Sequence, residues 1–270
     1  MRNKIEEIPN IKSALKHISY DTWVFFDLDN TVMESMLDLG GDQWFSHLMK
    51  YVPKPNHQHV LTLYYVLQAH VRTQPAEPKI GLIIKALQSI GIPVFALTAR
   101  GPTILQETIQ QLHDIGIDFS NNRMSASHAA PYNTGIICCN GLNKGHALGH
   151  FLSHCDQKPR HIIMLDDKNY HLDHIKTVVE PLQIDFSGFR YGFLDMKATQ
   201  FDMNKANHQL AHLKDRLPLE AQEAIDALQL IPESIETGMH ISQCSHGFFQ
   251  QQEIKSSHSV PAQVSQFSHG

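Results

Sequence analysis

Cysteine is scarce in this chain and forms no framework. The 270 residues hold four, Cys138, Cys139, Cys155 and Cys244, without CxxC spacing. A chain this long buries its core without disulfide staples, and such usage reads as buried thiols in a reducing compartment. An excess of charge of one sign is also missing. The 22 Lys and Arg against 27 Asp and Glu give a net −5, which supplies no bulk attraction to nucleic acid or to an anionic membrane. No unbroken apolar run of spanning length occurs either. The most apolar window, residues 80–99, contains Lys85, Gln88 and Ser89 and breaks at Gly91-Ile92-Pro93, so it reads as a helix followed by a strand. The N-terminal MRNKIEEIPNIKSALK carries acids early and lacks the apolar segment of a secretory leader. These absences lead us to expect a soluble, cytoplasmic protein with no nucleic-acid or membrane partner.

The composition that remains, 42% hydrophobic with 18% charged, is that of a folded globular chain. Residues 23–29 (WVFFDLD), 94–99 (VFALTA) and 161–167 (HIIMLDD) are short apolar runs with polar tips, the pattern of strands buried on both faces. Smaller strands are expected near residues 117–120, 135–139 and 185–192. Between them, apolar residues recur at helical spacing: Ile80, Ile83, Ile84 and Leu87; Leu105, Ile109 and Leu112; Leu148, Phe151 and Leu152; Leu172, Ile175 and Val179. Strand and helix in alternation imply right-handed crossovers and a parallel sheet. The expected fold is therefore a three-layer, Rossmann-like α/β sandwich with a doubly wound parallel sheet.

Some segments fall outside the alternation. Residues 32–78 are too many for a plain connection, and Trp44, Leu48, Val60, Tyr64 and Leu67 suggest two helices there. This insert reads as a small helical cap over the strand tips. Residues 1–22 read as a helical lead-in, and 23–31 with 79–232 as the core. Residues 233–270 read as a polar, mobile tail, since Ser, Gln and His make up 15 of the last 28 residues. Residues 121–134 read as a loop.

Three strand tips end in reactive groups: Asp27 and Asp29, Thr98, and Asp166 with Asp167. Lys144 opens the helix leading into the last of them. Ligands of doubly wound sheets bind beyond the carboxyl ends of the strands. Two acids at alternate strand positions converge and repel unless a cation or proton lies between them. A hard dication such as Mg²⁺, holding few carboxylates and a substrate phosphate, suits that arrangement, as does a carboxylate nucleophile. A hydroxyl and an ammonium to neutralise phosphoryl oxygens complete what phosphoryl transfer requires. By residue type alone, a plain divalent-ion site fits equally well. The nineteen histidines are scattered and define no zinc set.

In order along the chain, Asp27-Leu28-Asp29-Asn30-Thr31, Leu97-Thr98-Ala99-Arg100, Asn143-Lys144-Gly145 and Met164-Leu165-Asp166-Asp167 resemble the four motifs of the haloacid-dehalogenase (HAD) superfamily. The resemblance spans most of the first 190 residues. DLDNT, LTAR, the Asn-Lys-Gly stretch and LDDK also look like an uncharacterised HAD-like group from intracellular bacteria, which raises export into a host cell as a second expectation. The resemblance implies Asp27 as the nucleophile that takes up the phosphoryl group, and Asp29 as general acid and then base. It implies Mg²⁺ held by Asp27, the Asp29 carbonyl, Asp166 and Asp167, and phosphoryl oxygens held by Thr98 and Lys144. The insert falls where the family carries C1-type caps. Arg100 either reaches a substrate anion or pairs with an acid. His171 and Asp173 either support the metal or cap a helix. The implied activity is a Mg²⁺-dependent phosphatase acting on a small phosphorylated substrate. A phosphotransferase or mutase, or a non-catalytic binding protein on the same scaffold, stands as the alternative.

Overall fold

Strands form where apolar residues run without interruption. Thr22–Phe26 (β2), Val94–Thr98 (β5) and His161–Asp166 (β7) are buried at every position, as strands covered on both faces must be. The structure, a computed structural model, describes residues 3–121 and 134–231. The loop expected at 121–134 falls almost wholly outside the described residues, as does the tail expected at 233–270.

Together with Lys4–Ile8 (β1), Ile136–Cys138 (β6) and Asp185–Tyr191 (β8), these strands make a six-stranded sheet of order β1-β8-β7-β2-β5-β6. Every pairing in it is parallel. From β2 the chain moves outward to β5 and β6, then returns to the opposite side at β7 and β8. The reversal beside β2 is the topological switch point at which doubly wound sheets bind ligands. In register, Phe26 pairs with Ala96 on one side and Leu165 on the other. The tips carrying Asp27, Thr98 and Asp166 therefore lie side by side.

Helices cover both faces. Ile80–Ser89 (α4) and Leu105–Asp114 (α5) pack through Ile80, Ile84, Leu87 and Leu112 against Val24, Phe26 and Ala96. Lys144–Ser153 (α6) and Asn169–Val179 (α7) pack on the other face against Phe25, Phe95 and Met164. This is the expected α/β class with a parallel sheet flanked by helices. Cys138 joins one layer and Cys139 the other.

Three local expectations change. The lead-in is not wholly helical: Lys4–Ile8 forms the sheet's outer strand, and only Lys12–Leu15 (α1) is helix. Edge strands carry charge against further pairing, and the KIEEI sequence hides the alternation that marks a strand. Residues 117–120 form no strand, although Ile117 and Phe119 are buried in the core. The helices Met203–Ala211 (α9) and Leu219–Leu228 (α10), read from sequence as core, pack instead with the insert. Ala206, Leu210, Ala224 and Ile225 share a cluster with Trp44, Leu48, Leu63 and Leu67.

The insert itself holds Asp42–Tyr51 (α2) and His57–Gln68 (α3). An antiparallel pair at its neck, Met33–Ser35 (β3) with Thr73–Pro75 (β4), brings its two ends together. Trp44 and Tyr64 serve packing, buried in that cluster, whereas Tyr51 is exposed.

Helices α6 and α7 approach closely because position 145 has no side chain. A Cβ on Gly145 would lie 2.2 Å from the main-chain oxygen of His174, whereas one on Gly149 would meet only a Val178 methyl at 2.9 Å. Backbone cannot yield as a methyl can. Gly145→Ala is therefore expected to lower stability by about 3 kcal/mol, and Gly149→Ala by about 1 kcal/mol. Urea unfolding measures both, and equal effects would contradict the close approach.

Candidate active site

Lys144 is the first residue of α6, whose N-cap Asn143 accepts a hydrogen bond from His146 N at 3.1 Å. That cap turns the lysine under the strand tips, where its side chain is fully buried. Its Nζ lies 2.7 Å from Asp27 Oδ1 and 2.7 Å from Asp166 Oδ2. Burial alone would lower the Lys144 pKa, but Asp166 and Asp27 outweigh it and raise it well above the ordinary lysine value. Asp166 accepts further bonds from the Lys168 main-chain N–H at 2.9 Å and from His171 Nδ1 at 3.1 Å to each oxygen. Burial pushes Asp166 up, yet Lys144 and His171 together hold it below its ordinary value. Asp27 is driven the other way: burial, reinforced by Asp166 and Asp167 against the pull of Lys144, raises it well above the usual carboxylate range.

Asp29 stands apart, gripped by Arg100. The guanidinium donates Nε–H to Oδ2 and an Nη2–H to Oδ1, both at 2.8 Å, the strong two-pronged geometry. Burial would raise Asp29, but Arg100 outweighs it and holds the carboxylate below its ordinary value. Arg100 is held from behind by Thr108 at 3.1 Å and Gln111 at 2.7 Å. Of its two expected roles, pairing with an acid is the one the structure displays. Thr98 is fully buried, and its Oγ1 accepts the Arg100 main-chain N–H at 3.2 Å, which leaves the hydroxyl proton for another acceptor.

Asp167 belongs to a second cluster that joins the core to the insert. Asn30, in the left-handed region with φ 61°, donates to Asp167 Oδ2 and to Asp42 Oδ2, both at 3.3 Å. Lys168 Nζ meets the two Asp42 oxygens at 2.8 and 3.0 Å. Burial, with Asp42 and Asp166 acting against Lys168, raises Asp167 to about 7. Its Oδ1 is buried with no hydrogen-bond partner.

Ligand atoms of Asp27, Asp166 and His171 lie within 4.8 Å of one another, close enough to share a cation. The contacts of His171 with both Asp166 oxygens require its Nδ1–H tautomer, so the imidazole orients the carboxylate and the oxygen atoms are the ones left for a metal. Asp173 caps nothing: the N-cap of α7 is Lys168, and Asp173 lies exposed one turn in. Asp42 went unread in the sequence, and Lys168 stood only within LDDK without a role of its own, because their pairing spans 126 residues. The only sign of Lys168 was its place directly after the paired acids.

A family comparison matches residues 4–224 to DUF2608, described as a protein of unknown function. The chain belongs to the DUF2608 family. Relatives include a protein of Chlamydia pneumoniae named "Putative outer membrane protein", 25% identical over 80% of this chain and 87% of its own length. Proteins of the same name from Chlamydia trachomatis and Chlamydia muridarum are 24% and 21% identical, each over 69% of this chain and 75% of their own length. No solved structure matches. These names overturn the cytoplasmic location expected above. Cysteine usage and leader patterns are compositional signs, and they do not reach where a family resides. Among the described residues, no helix is long and apolar enough to cross a membrane.

The two ion pairs of Lys144 generate a prediction. Removing one partner of a buried pair leaves uncompensated charge and costs about 3–5 kcal/mol. Lys144→Met, unfolded by urea in the presence of EDTA, is expected to lose that much. A loss below about 1 kcal/mol would mean that the carboxylates are not held as described.

Proposed function

We propose that this DUF2608 chain is a phosphomonoester hydrolase that works through an aspartyl-phosphate on Asp27. The observation that carries the reading is the Lys144 ammonium held 2.7 Å from both Asp27 and Asp166 at the switch point of the sheet. The HAD-like order of the motifs agrees with it.

With Oδ1 of Asp27 paired to Lys144, attack on phosphorus falls to Oδ2. The bond from phosphorus to the leaving oxygen breaks as the Asp27–phosphorus bond forms, and the leaving oxygen takes the proton that a monoanionic phosphate ester brings in, relayed through Asp29, whose own carboxylate Arg100 holds ionised beforehand. Asp29 then removes a proton from water, the hydroxide adds to phosphorus, and the Asp27–phosphorus bond breaks to release inorganic phosphate. Lys144 and the Thr98 hydroxyl neutralise the equatorial oxygens. Arg100 acts as a positioning residue that fixes the Asp29 carboxylate. The insert over the strand tips is, in this reading, a C1-type cap.

The oxygen-rich donor set and the orphaned Asp167 Oδ1 fit Mg²⁺, which prefers hard oxygen ligands and keeps part of its water shell. Asp27, the Asp29 carbonyl and Asp166 would hold it, with Asp167 directly or through water. When bound, it supplies charge that offsets the crowded carboxylates and the phosphoryl group. The relatives' names favour an envelope or secreted location for this chain.

Aryl phosphate hydrolysis is the test. Turnover with Mg²⁺ is expected to vanish with EDTA and to fall by at least about 10³-fold in Asp27→Asn. Mg²⁺ alone is expected to raise the melting temperature of the wild type, as any ligand of the native state does. Turnover that survives Asp27→Asn would exclude the aspartyl-phosphate. Mg²⁺ binding without turnover would favour the non-catalytic reading.

A further inference from the structure

Beside the catalytic residues lies a cavity of about 140 Å³. Asn30 is their shared wall: it follows Asp29, bonds Asp167, and lines the cavity. The other walls come from two distant parts of the chain, the start of the insert with Glu34 and Asp38, and Asp195–Ala198 (α8) with the turn after it and the first turn of α9, bearing Lys197 and Lys205.

The arrangement of charge in this cavity is layered. Glu34 and Asp38 are deep, with 9% and 13% of their side chains exposed, whereas Lys197 and Lys205 stand at the rim with 50% and 65% exposed. Each lysine closes over one acid, Lys197 on Glu34 at 2.5 Å and Lys205 on Asp38 at 2.7 Å. Gln74 holds the second Glu34 oxygen at 2.7 Å, which fixes the carboxylate facing the cavity. Gln43 gives its amide N–H to Asn30 at 3.1 Å, leaving its carbonyl oxygen as an acceptor. The Asp202 main-chain N–H reaches the other Asp38 oxygen at 3.3 Å, so every carboxylate oxygen of the inner wall is held, and the groups that can give way to a ligand are the exposed lysines.

We infer that this cavity binds the alcohol half of the substrate, and that this half is a small polyhydroxylated body, a sugar or polyol carried as its phosphomonoester. The inference rests on the phosphatase reading and adds to it the substrate class and its selecting wall. Hydroxyl donors match carboxylate and amide acceptors, and a hydroxyl can take the carboxylate lone pair that a rim lysine vacates. Size points the same way. Drug-sized ligands fill pockets of about 300–1,000 Å³, and this cavity is less than half the lower figure. A nucleoside or a long acyl chain is therefore too large to be enclosed, and an acyl chain would offer no donor to the carboxylates. The C-terminal helical segment, remote in sequence from every motif, becomes a determinant of specificity.

The experiment uses the full chain with Mg²⁺ and four probes: a hexose monophosphate, a glycerol monophosphate, adenosine monophosphate and an aryl phosphate. At least one of the first two is expected to exceed the other probes in kcat/KM by about tenfold or more. Losing one charged hydrogen bond costs about 1.5–3 kcal/mol, or tenfold per 1.4 kcal/mol. Glu34→Gln and Asp38→Asn should each lower the preference for the hydroxylated ester over the aryl phosphate about tenfold, through KM. No preference in the wild type, or variants that weaken all four probes alike, would overturn the inference. Asp38→Asn, at the more exposed acid, serves should Glu34→Gln fail to fold. Calorimetric binding of the two hydroxylated esters to Asp27→Asn separates the two readings. If the wild type hydrolyses nothing, yet these esters bind Asp27→Asn and bind Asp27→Asn/Asp38→Asn about tenfold more weakly, the cavity assignment stands and the phosphatase reading falls. If neither ester binds folded Asp27→Asn, the cavity assignment falls.

Discussion

Everything at the strand tips depends on one buried ammonium. Lys144 lies between Asp27 and Asp166, all three with almost no exposure, so a single positive charge faces two negative ones in a medium that screens poorly. Desolvating such groups is costly unless each is paired and hydrogen-bonded. The chain meets that requirement unequally. Asp166 has Lys144, His171 and a main-chain N–H, and stays ionised. Asp27 has Lys144 and two repelling neighbours, and its carboxyl is pushed up. The imbalance leaves Asp27 as the group that a further cation would most relieve. The helices are placed to sustain it: the Asn143 cap sets the start of α6, and the missing side chain at Gly145 lets α7 come close enough for His171 to reach Asp166.

Around that centre, a second set of contacts holds the insert in place. Asn30, Asp42, Gln43, Asp167 and Lys168 join the start of α2 to the loops after β2 and β7. Arg190 extends the set from the next strand, donating Nε–H to the Asp167 carbonyl at 3.0 Å and pairing with Asp195 at the start of α8. The loop bearing the paired acids is thus tied on one side to the insert and on the other to the C-terminal helices. Helices α9 and α10 share a core with the insert, so the walls of the side cavity and the strand-tip loops form one supported arrangement.

The legible part of this structure was the part encoded locally. Apolar runs ending in acids gave β2 and β7, helical periodicity gave α4 to α7, and the order of the reactive tips gave the grouping of Asp27, Thr98, Lys144 and Asp166. What stayed hidden was either masked by charge or set by contacts distant in sequence. The outer strand β1 carries Lys4, Glu6 and Glu7, and its identity comes only from pairing with β8. Helices α9 and α10 have ordinary amphipathic spacing, which says that they pack but not on what. The role of Arg100 was undecidable from its position two residues past Thr98, because both an anion and an acid lie within reach of such a side chain. The acceptor-lined cavity was invisible, since its walls meet only through the packing of the insert on the C-terminal helices.

The Arg100–Asp29 pair shows why the placement of the insert matters to the chemistry. Asp29 is partly exposed, with 21% of its side chain open, and without a partner its carboxylate would rotate freely. Arg100 fixes both oxygens, Gln111 fixes Arg100 at 2.7 Å, and Gln111 in turn donates to the Gln68 carbonyl of α3 at 2.8 Å. Three consecutive contacts thus run from the insert to the acid two residues beyond Asp27, each buried or nearly so. A proton donor or acceptor contributes only within hydrogen-bond reach of the atom it serves. The contacts that seat the insert are therefore also those that aim Asp29, so in the proposed reaction the packing that shapes the side cavity also orients the group assigned to proton transfer.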